Sequence, residues 1–326
     1  MVTAFTASGG LRLDRPLSDG AGSLQGATWI DMLDPSAEET RAVESALGIE
    51  LPTRKDIEEI EISSRLYVEN QTVFMTVTVM RRADTPQPGT TSVTFAYQSG
   101  RLLTLRFAEI TPFTAFESKF RKTPAAFSTA QKVFMGVLDE IIDRVADILE
   151  FVGSDLNAVS AIIFADPNQH PVRKPTVDHT AVLTRIGRNG ERAANARESL
   201  VSIGRLLGFV GEATPTVVGE ALDEHWRTMR RDVSALSDHA TFLSDKVNFF
   251  LDATLGSVNI EQNNIIKLFS VLAVVFLPPT LIASIYGMNF TYLPELRWVF
   301  GYPFSIVLML VAAVLPYYLF KRRGWF

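Results

Sequence analysis

The chain has 326 residues, no cysteine and a formal net charge of -5, with 47% of its residues hydrophobic and 21% charged. The missing cysteine excludes a disulfide framework and thiolate-held metal and fits a reducing compartment, while the acidic balance gives no footprint for nucleic acid. The hydrophobic fraction lies between that of a soluble protein and that of a polytopic one, with room for one or two soluble domains beside a few membrane spans.

Met1 to Pro16 lacks an apolar run behind a basic start, so no cleaved signal peptide is expected. Residues 1–26 are rich in Gly, Ser and Asp and are expected to be poorly ordered. Thr28 to Leu33 reads as a short strand, and Asp34-Pro35-Ser36-Ala37-Glu38-Glu39 as a helix start with Pro and acids near its N-terminus. Leu66 to Val68 and Thr72 to Met80 are β-branched or aromatic strand candidates. The turn cluster Asp84 to Gly89 follows, and then Thr91 to Tyr97 and Leu102 to Phe107 flank Gln98-Ser99-Gly100-Arg101 as a hairpin. Together these predict a cytoplasmic α/β domain over 27–125.

From Gln131 to Phe164 the pattern turns helical, with Phe134, Val137, Leu138, Ile141, Ile142, Val145, Ile148 and Leu149 at three- and four-residue steps. Its other face carries Asp139, Glu140, Asp143, Asp147 and Glu150. A second helix from about Val177 to Phe209 completes an antiparallel helical hairpin over 126–212. The four histidines, His170, His179, His225 and His239, show no metal-ligand spacing and read as solvated or packing residues.

After a break at Gly211 to Pro215 comes the longest regular signal. Leu222, Trp226, Met229, Val233, Leu236, Ala240, Leu243, Val247, Phe250 and Thr254 alternate steps of four and three, the a/d seam of a coiled coil. One very long helix is predicted from Val217 to Ile285, its stalk over 216–263. The seam needs partners, and the pattern leaves open whether they come from the same chain or from neighbouring copies. Asp238, Asp245, Asp252 and Asn259 recur every seven residues, and their stripe runs on towards Asn263, Ile266, Ser270, Leu277 and Thr280. Asp238 and Asp245 read as a solvated face; Asp252 and Asn259, nearer the apolar run, read as oxygen ligands at an inner mouth or a regulatory site.

Two apolar runs end the chain, each long enough to cross a bilayer as a helix: the first over 264–287, the second over 302–320, with a connecting loop over 288–301. A basic tail over 321–326, opening Lys321-Arg322-Arg323, abuts the second, and Lys246 and Lys267 lie near the first, which puts both termini in the cytoplasm. Two helices cannot enclose a polar path through lipid, so a pore requires several copies around an axis.

The run Pro278-Pro279-Thr280-Leu281-Ile282-Ala283-Ser284-Ile285-Tyr286-Gly287-Met288-Asn289-Phe290, followed by Leu293-Pro294-Glu295-Leu296, Trp298 and Phe300-Gly301-Tyr302-Pro303, closely resembles the CorA family of magnesium transporters. The close match covers Lys246 to Phe326. The resemblance implies a funnel-shaped homopentamer in the inner membrane, with the first transmembrane helix lining the pore and the second outside it. It also implies transport of hydrated divalent cations, Mg2+ above all and also cobalt and nickel, with cytoplasmic Mg2+ closing the pore and no organic cofactor.

Magnesium demands octahedral oxygen coordination and sheds water reluctantly, so carbonyl and amide oxygens suit it better than thiolate or imidazole. Gly287, Met288 and Asn289 meet that demand: Gly287 permits positive φ and close backbone approach, and Asn289 brings an amide oxygen that repeated copies turn into an uncharged ring. Asn263, Ile266, Ser270, Leu277 and Thr280 are read as pore lining, and Glu295 as a cation collector at the outer mouth, with pairing to Arg297 as its competing reading. No phosphate-binding loop, nucleophile elbow or catalytic triad is present, so no enzyme is expected. The rival readings are a zinc transporter of the same fold and a membrane-anchored coiled-coil scaffold.

Overall fold

A computed structural model describes residues 1–6, 9–12, 24, 26–59, 61–164, 178–213, 217, 222–289 and 298–323. Residues 290–297 of the connecting loop, Glu295 among them, His170 and the last three residues of the basic tail lie outside the described residues. Seven strands, β1 Val2–Thr6, β2 Gly9–Arg12, β3 Trp29–Leu33, β4 Leu66–Glu69, β5 Thr72–Arg81, β6 Gly89–Gln98 and β7 Arg101–Arg106, form one mixed sheet in the order β2-β1-β3-β7-β6-β5-β4. β3 and β7 run parallel, with Trp29 opposite Leu102. The predicted hairpin closes through Ser99 and Gly100 at φ 48° and 76°, the paired positive φ that a tight two-residue turn requires.

The N-terminus departs from expectation. Val2–Thr6 is an interior strand between β2 and β3, with Val2, Ala4 and Phe5 at most 1% exposed, and Phe5 stacks on Trp29 with ring centroids 4.2 Å apart. The Gly/Ser/Asp signal belongs to the residues after it, and a five-residue strand with threonine at two positions carries too little periodicity to stand out alone.

Strand alternation gives the sheet two apolar faces. Phe74 packs with Val43 of α1 (Ala37–Leu47) and Ile57 of α2 (Arg54–Glu58). α3 (Ile62–Arg65) leads into β4. Val73, Met75, Val77 and Val79 face the other way, into a core shared with α4 (Thr111–Lys122), whose Phe113, Phe116 and Phe120 are buried, and with the long helices.

α5 (Ala130–Ile163) and α6 (His179–Ala213) form the helical hairpin, and the eight apolar positions from Phe134 to Leu149 named above are at most 6% exposed. A methyl group on Gly136 would lie 2.4 Å from Phe116 Cε2. Gly136→Ala is therefore expected to destabilise the fold by about 1–3 kcal/mol through overpacking, read as a lower thermal midpoint than that of a surface Gly→Ala control.

Arg185 of α6 donates through Nε to both carboxylate oxygens of Asp155 on α5 at 2.9 Å, and Asn189 Nδ2 donates to Oδ2 at 2.6 Å. The Arg185 hydrogen bonds hold the Asp155 carboxyl below its ordinary range; burial opposes them and Asn189 assists. Because the folded value is the lower one, the stabilisation is complete above the unfolded carboxylate value of about 3.9 and is lost as pH falls through the folded value. Asp155→Asn is expected to cost about 1 kcal/mol at neutral pH, allowing for the solvent that reaches Arg185. That difference from wild type should close in denaturant melts taken below the ordinary carboxylate range.

α7 (Asp223–Tyr286) is a single helix of 64 residues, about 96 Å long. Its seam finds partners in its own chain, which answers the question the heptads left open. Trp226, Met229, Val233, Ala240, Leu243, Val247 and Phe250 are at most 9% exposed, within one core with α5 and α6. The Trp226 ring lies 6.2 Å from that of Phe134. Leu243, Val247 and Val233 nest over Gly153, Gly190 and Gly204, where an added methyl would meet them at 3.7, 3.1 and 3.6 Å.

The chain divides into two compact units, residues 1–251 and 252–326. In the second, the C-terminal part of α7 and α8 (Gly301–Arg322) are long and apolar enough to cross a bilayer. α7 remains helical through Pro278 and Pro279.

Candidate functional site

α7 carries most of the candidate residues. At about 100° per residue, Asp238, Asp245, Asp252, Asn259, Asn263, Ile266, Ser270, Leu277 and Thr280 fall within an arc of about 120°. Asp238, Asp245 and Asp252 lie opposite the neighbouring residues of the buried seam, while the stripe as a whole centres about 120° from that seam. Every member of the stripe is exposed in the single chain, including the apolar Ile266 at 60% and Leu277 at 66%, and from 259 to 270 so is every other face of the helix. Within the first unit one face of α7 is spent on the domain core and the stripe carries acids; further along the helix the same stripe carries amides and then hydroxyls interleaved with apolar residues.

The hydroxyls are oriented by the helix itself. Ser270 Oγ donates to the Ile266 carbonyl at 2.8 Å and Thr280 Oγ1 to the Phe276 carbonyl at 2.7 Å. Each proton is committed to the backbone, which leaves the oxygen as an uncharged acceptor. Such a surface suits the outer waters of a hydrated cation.

The helix ends at Tyr286. The Gly287 N–H donates to the Ala283 carbonyl at 2.9 Å and that of Met288 to Ile285 at 3.3 Å. Gly287 does not take the left-handed conformation expected of it; among the described glycines positive φ occurs at Gly48 and Gly100. A Cβ there would sit 3.1 Å from the Ala283 carbonyl oxygen and 3.6 Å from that of Ser284, the carbonyls of its own last turn. The last turn simply tightens, so no αL cap is needed to end it. Met288 and Asn289 follow, both exposed. They stand at the C-terminal end of α7, where aligned peptide dipoles leave about half a negative charge and favour a cation.

The acidic face of α5 is partly committed within the chain. Lys119 pairs with Glu140, and His225 Nε2 lies 2.8 Å from Asp139 Oδ2. Burial raises the Asp139 carboxyl against the pull of His225, and burial with Glu140 nearby raises that of Asp143. No local pattern could reveal the His225 contact, since its partner lies 86 residues away. Among the described residues no group of three or more His, Asp or Glu side chains is placed to hold a metal ion.

A family model described as CorA-like Mg2+ transporter protein matches residues 25–322. The magnesium transport protein CorA of Sodalis glossinidius (strain morsitans) is 36% identical over 314 residues, 96% of each chain. That of Escherichia coli (strain K12) is 35% identical over 325 residues, 100% of each. Among solved structures, the complete CorA magnesium transporter from Methanocaldococcus jannaschii matches the fold with a TM-score of 0.75 at 20% identity, over 100% of this chain and 99% of that one.

Proposed function

This chain belongs to the family of CorA-like Mg2+ transporters and is a membrane protein. From that premise we propose that it acts as a homopentameric, channel-like pathway for Mg2+ in the inner membrane, both termini cytoplasmic, with cobalt and nickel as further cargo. The observation that carries this reading is the stripe of oxygen-bearing residues along α7, continuous from Asp252 to Thr280 and followed by Gly287, Met288 and Asn289. Five such stripes around an axis make a path lined by amide, hydroxyl and aliphatic groups, with a ring of Asn289 amides at its outer end as the selectivity filter. Glu295 is proposed as the collector beyond that ring. A membrane potential drives the ion inward, at about 2.3 kcal/mol per charge per 100 mV, or about 4.6 for a divalent cation. Exposed apolar side chains on the stalk, Phe242 at 58% and Leu255 at 47%, support assembly, since neighbouring copies would cover them.

The test is flux of magnesium, cobalt, nickel and zinc through purified protein in liposomes at fixed potential. Magnesium flux is expected, and zinc flux without magnesium flux would overturn the ion assignment. Regulation is read at Asp252, with Asn259 beside it. Carboxylates brought round an axis repel one another, and a bound divalent ion removes that repulsion, so high cytoplasmic Mg2+ favours a closed bundle. Asp252→Asn is expected to shift the internal Mg2+ concentration that closes the pore. An unchanged closing concentration with altered conductance would make Asp252 an attractor of ions at the inner mouth only.

A further inference from the structure

On the sheet face covered by α1 and α2 the apolar packing stops short. Phe74 and Ala96 are buried there, but further along β5 and β6 the same face carries hydroxyls. Thr76 Oγ1 and Thr94 Oγ1 share a hydrogen bond of 2.8 Å, and Thr78 lies opposite Ser92 in the ladder. Arg65, at the end of α3, reaches across, its Nη1 donating to Thr78 Oγ1 and its Nη2 to Ser92 Oγ, each at 3.1 Å. Beside these groups opens a cavity of about 340 Å³ whose wall includes Arg54, Arg65, Arg81, Thr91 and Phe107.

Two of the arginines that line this cavity each keep a donor without a partner, Arg65 Nε and Arg81 Nε, both buried behind the wall. A buried unpaired N–H is costly enough that folded proteins rarely retain one without a ligand or water to satisfy it. Arg54 is differently placed, its Nε 3.2 Å from Glu58 and its guanidinium 5.4 Å above the Phe107 ring. The remaining carboxylate of the wall, Glu198, is exposed on α6. Its charge supports Arg65, whose guanidinium burial pulls below the ordinary value, with Arg205 adding to that effect.

We propose that this cavity binds a phosphate-type oxyanion, either inorganic phosphate or the phosphate of a small phosphorylated metabolite. Planar guanidinium groups match phosphate oxygens in paired hydrogen bonds, and threonine hydroxyls supply further donors. Three guanidiniums against two carboxylates, one of them already engaged by Arg54, exclude a bare cation from the same space. The volume exceeds what a phosphate alone fills and lies within the range of small-molecule pockets, which leaves room for the body of a metabolite. None of these residues belongs to α7 or α8, so the inference stands or falls apart from the transport reading.

The experiment is calorimetric titration of the full chain, purified in detergent in a chelator-containing, low-salt buffer, with inorganic phosphate in one arm and adenosine triphosphate in the other. At least one probe is expected to bind once per chain with a dissociation constant below about 1 mM. Arg65→Gln and Arg81→Gln are each expected to weaken it about tenfold or more, as loss of a charge-assisted pair does. Binding of phosphate identifies a free-anion site, and binding of the nucleotide alone identifies a metabolite site. Should Arg65→Gln fail to fold, Arg81→Gln decides. No binding of either probe, or wild-type binding in Arg81→Gln, overturns the proposal.

Discussion

Asn289→Ala is expected to lower magnesium flux at least about a hundredfold, equivalent to about 2.7 kcal/mol in the barrier, while the oligomeric mass in detergent stays that of wild type. The side chain follows the C-terminal end of α7 and is exposed in the single chain, so its removal leaves no cavity and no buried partner unsatisfied. What it removes is an uncharged oxygen at the narrow end of the proposed path. A hydrated Mg2+ holds its waters tightly, and a ring of amides passes it by accepting hydrogen bonds from those waters without stripping them. Alanine offers nothing there, so the outer waters lose their partners where bulk water is also excluded. Liposome flux at fixed potential measures the loss, and normal flux in the mutant would refute the filter assignment.

Leu243→Asp is expected to have the largest effect on folding. Leu243 is 1% exposed, and its side chain lies over Gly153 of α5 in the core that joins the three long helices. The substitution forfeits about 2 kcal/mol of apolar burial and puts a carboxylate into an apolar core. The total reaches about 4–5 kcal/mol or more, against a whole-domain stability of about 5–15 kcal/mol. Loss of the cooperative thermal transition is the expected readout, with Leu243→Met as a control costing less than about 1.5 kcal/mol. A wild-type melting curve for Leu243→Asp would mean that the seam is not packed as described.

The same helix shows where the sequence was legible and where it was not. A repeat sustained from Leu222 to Phe250 needs no tertiary context, because alternating steps of three and four return to one side of a helix, and the buried side is the one it marks. The apolar runs were equally plain, since bilayer thickness alone sets their length. The partner of the seam was not legible: the glycines at 153, 190 and 204 that receive Leu243, Val247 and Val233 look like scattered helix weakeners until the three helices are brought together. β1 and α4 escaped for the opposite reason, being short elements whose stability comes from packing; Phe113, Phe116 and Phe120 recur at helical spacing but over only three turns. At Gly287 the expected positive φ is absent, because the chain ends the helix there by tightening its last turn, and spacing alone cannot tell a left-handed cap from such an ending.

That the seam of α7 closes on α5 and α6 of its own chain also bears on how the protein is made. The ribosome delivers residues in order at about 5–20 per second, so the sheet and both hairpin helices have emerged before α7 begins at Asp223. The first part of α7 can therefore dock as it appears, without waiting for a second copy of the chain. The apolar part follows within about 3–13 s of the start of the helix at that rate, and the insertion machinery then receives a segment whose upstream end is already anchored in a folded body. A chain whose seam had to wait for neighbours would expose a long apolar stripe to the cytosol throughout this interval. Here the seam itself is exposed only between the emergence of Trp226 and its docking on Phe134, which leaves Phe242 and Leu255 among the apolar side chains still open on the stalk.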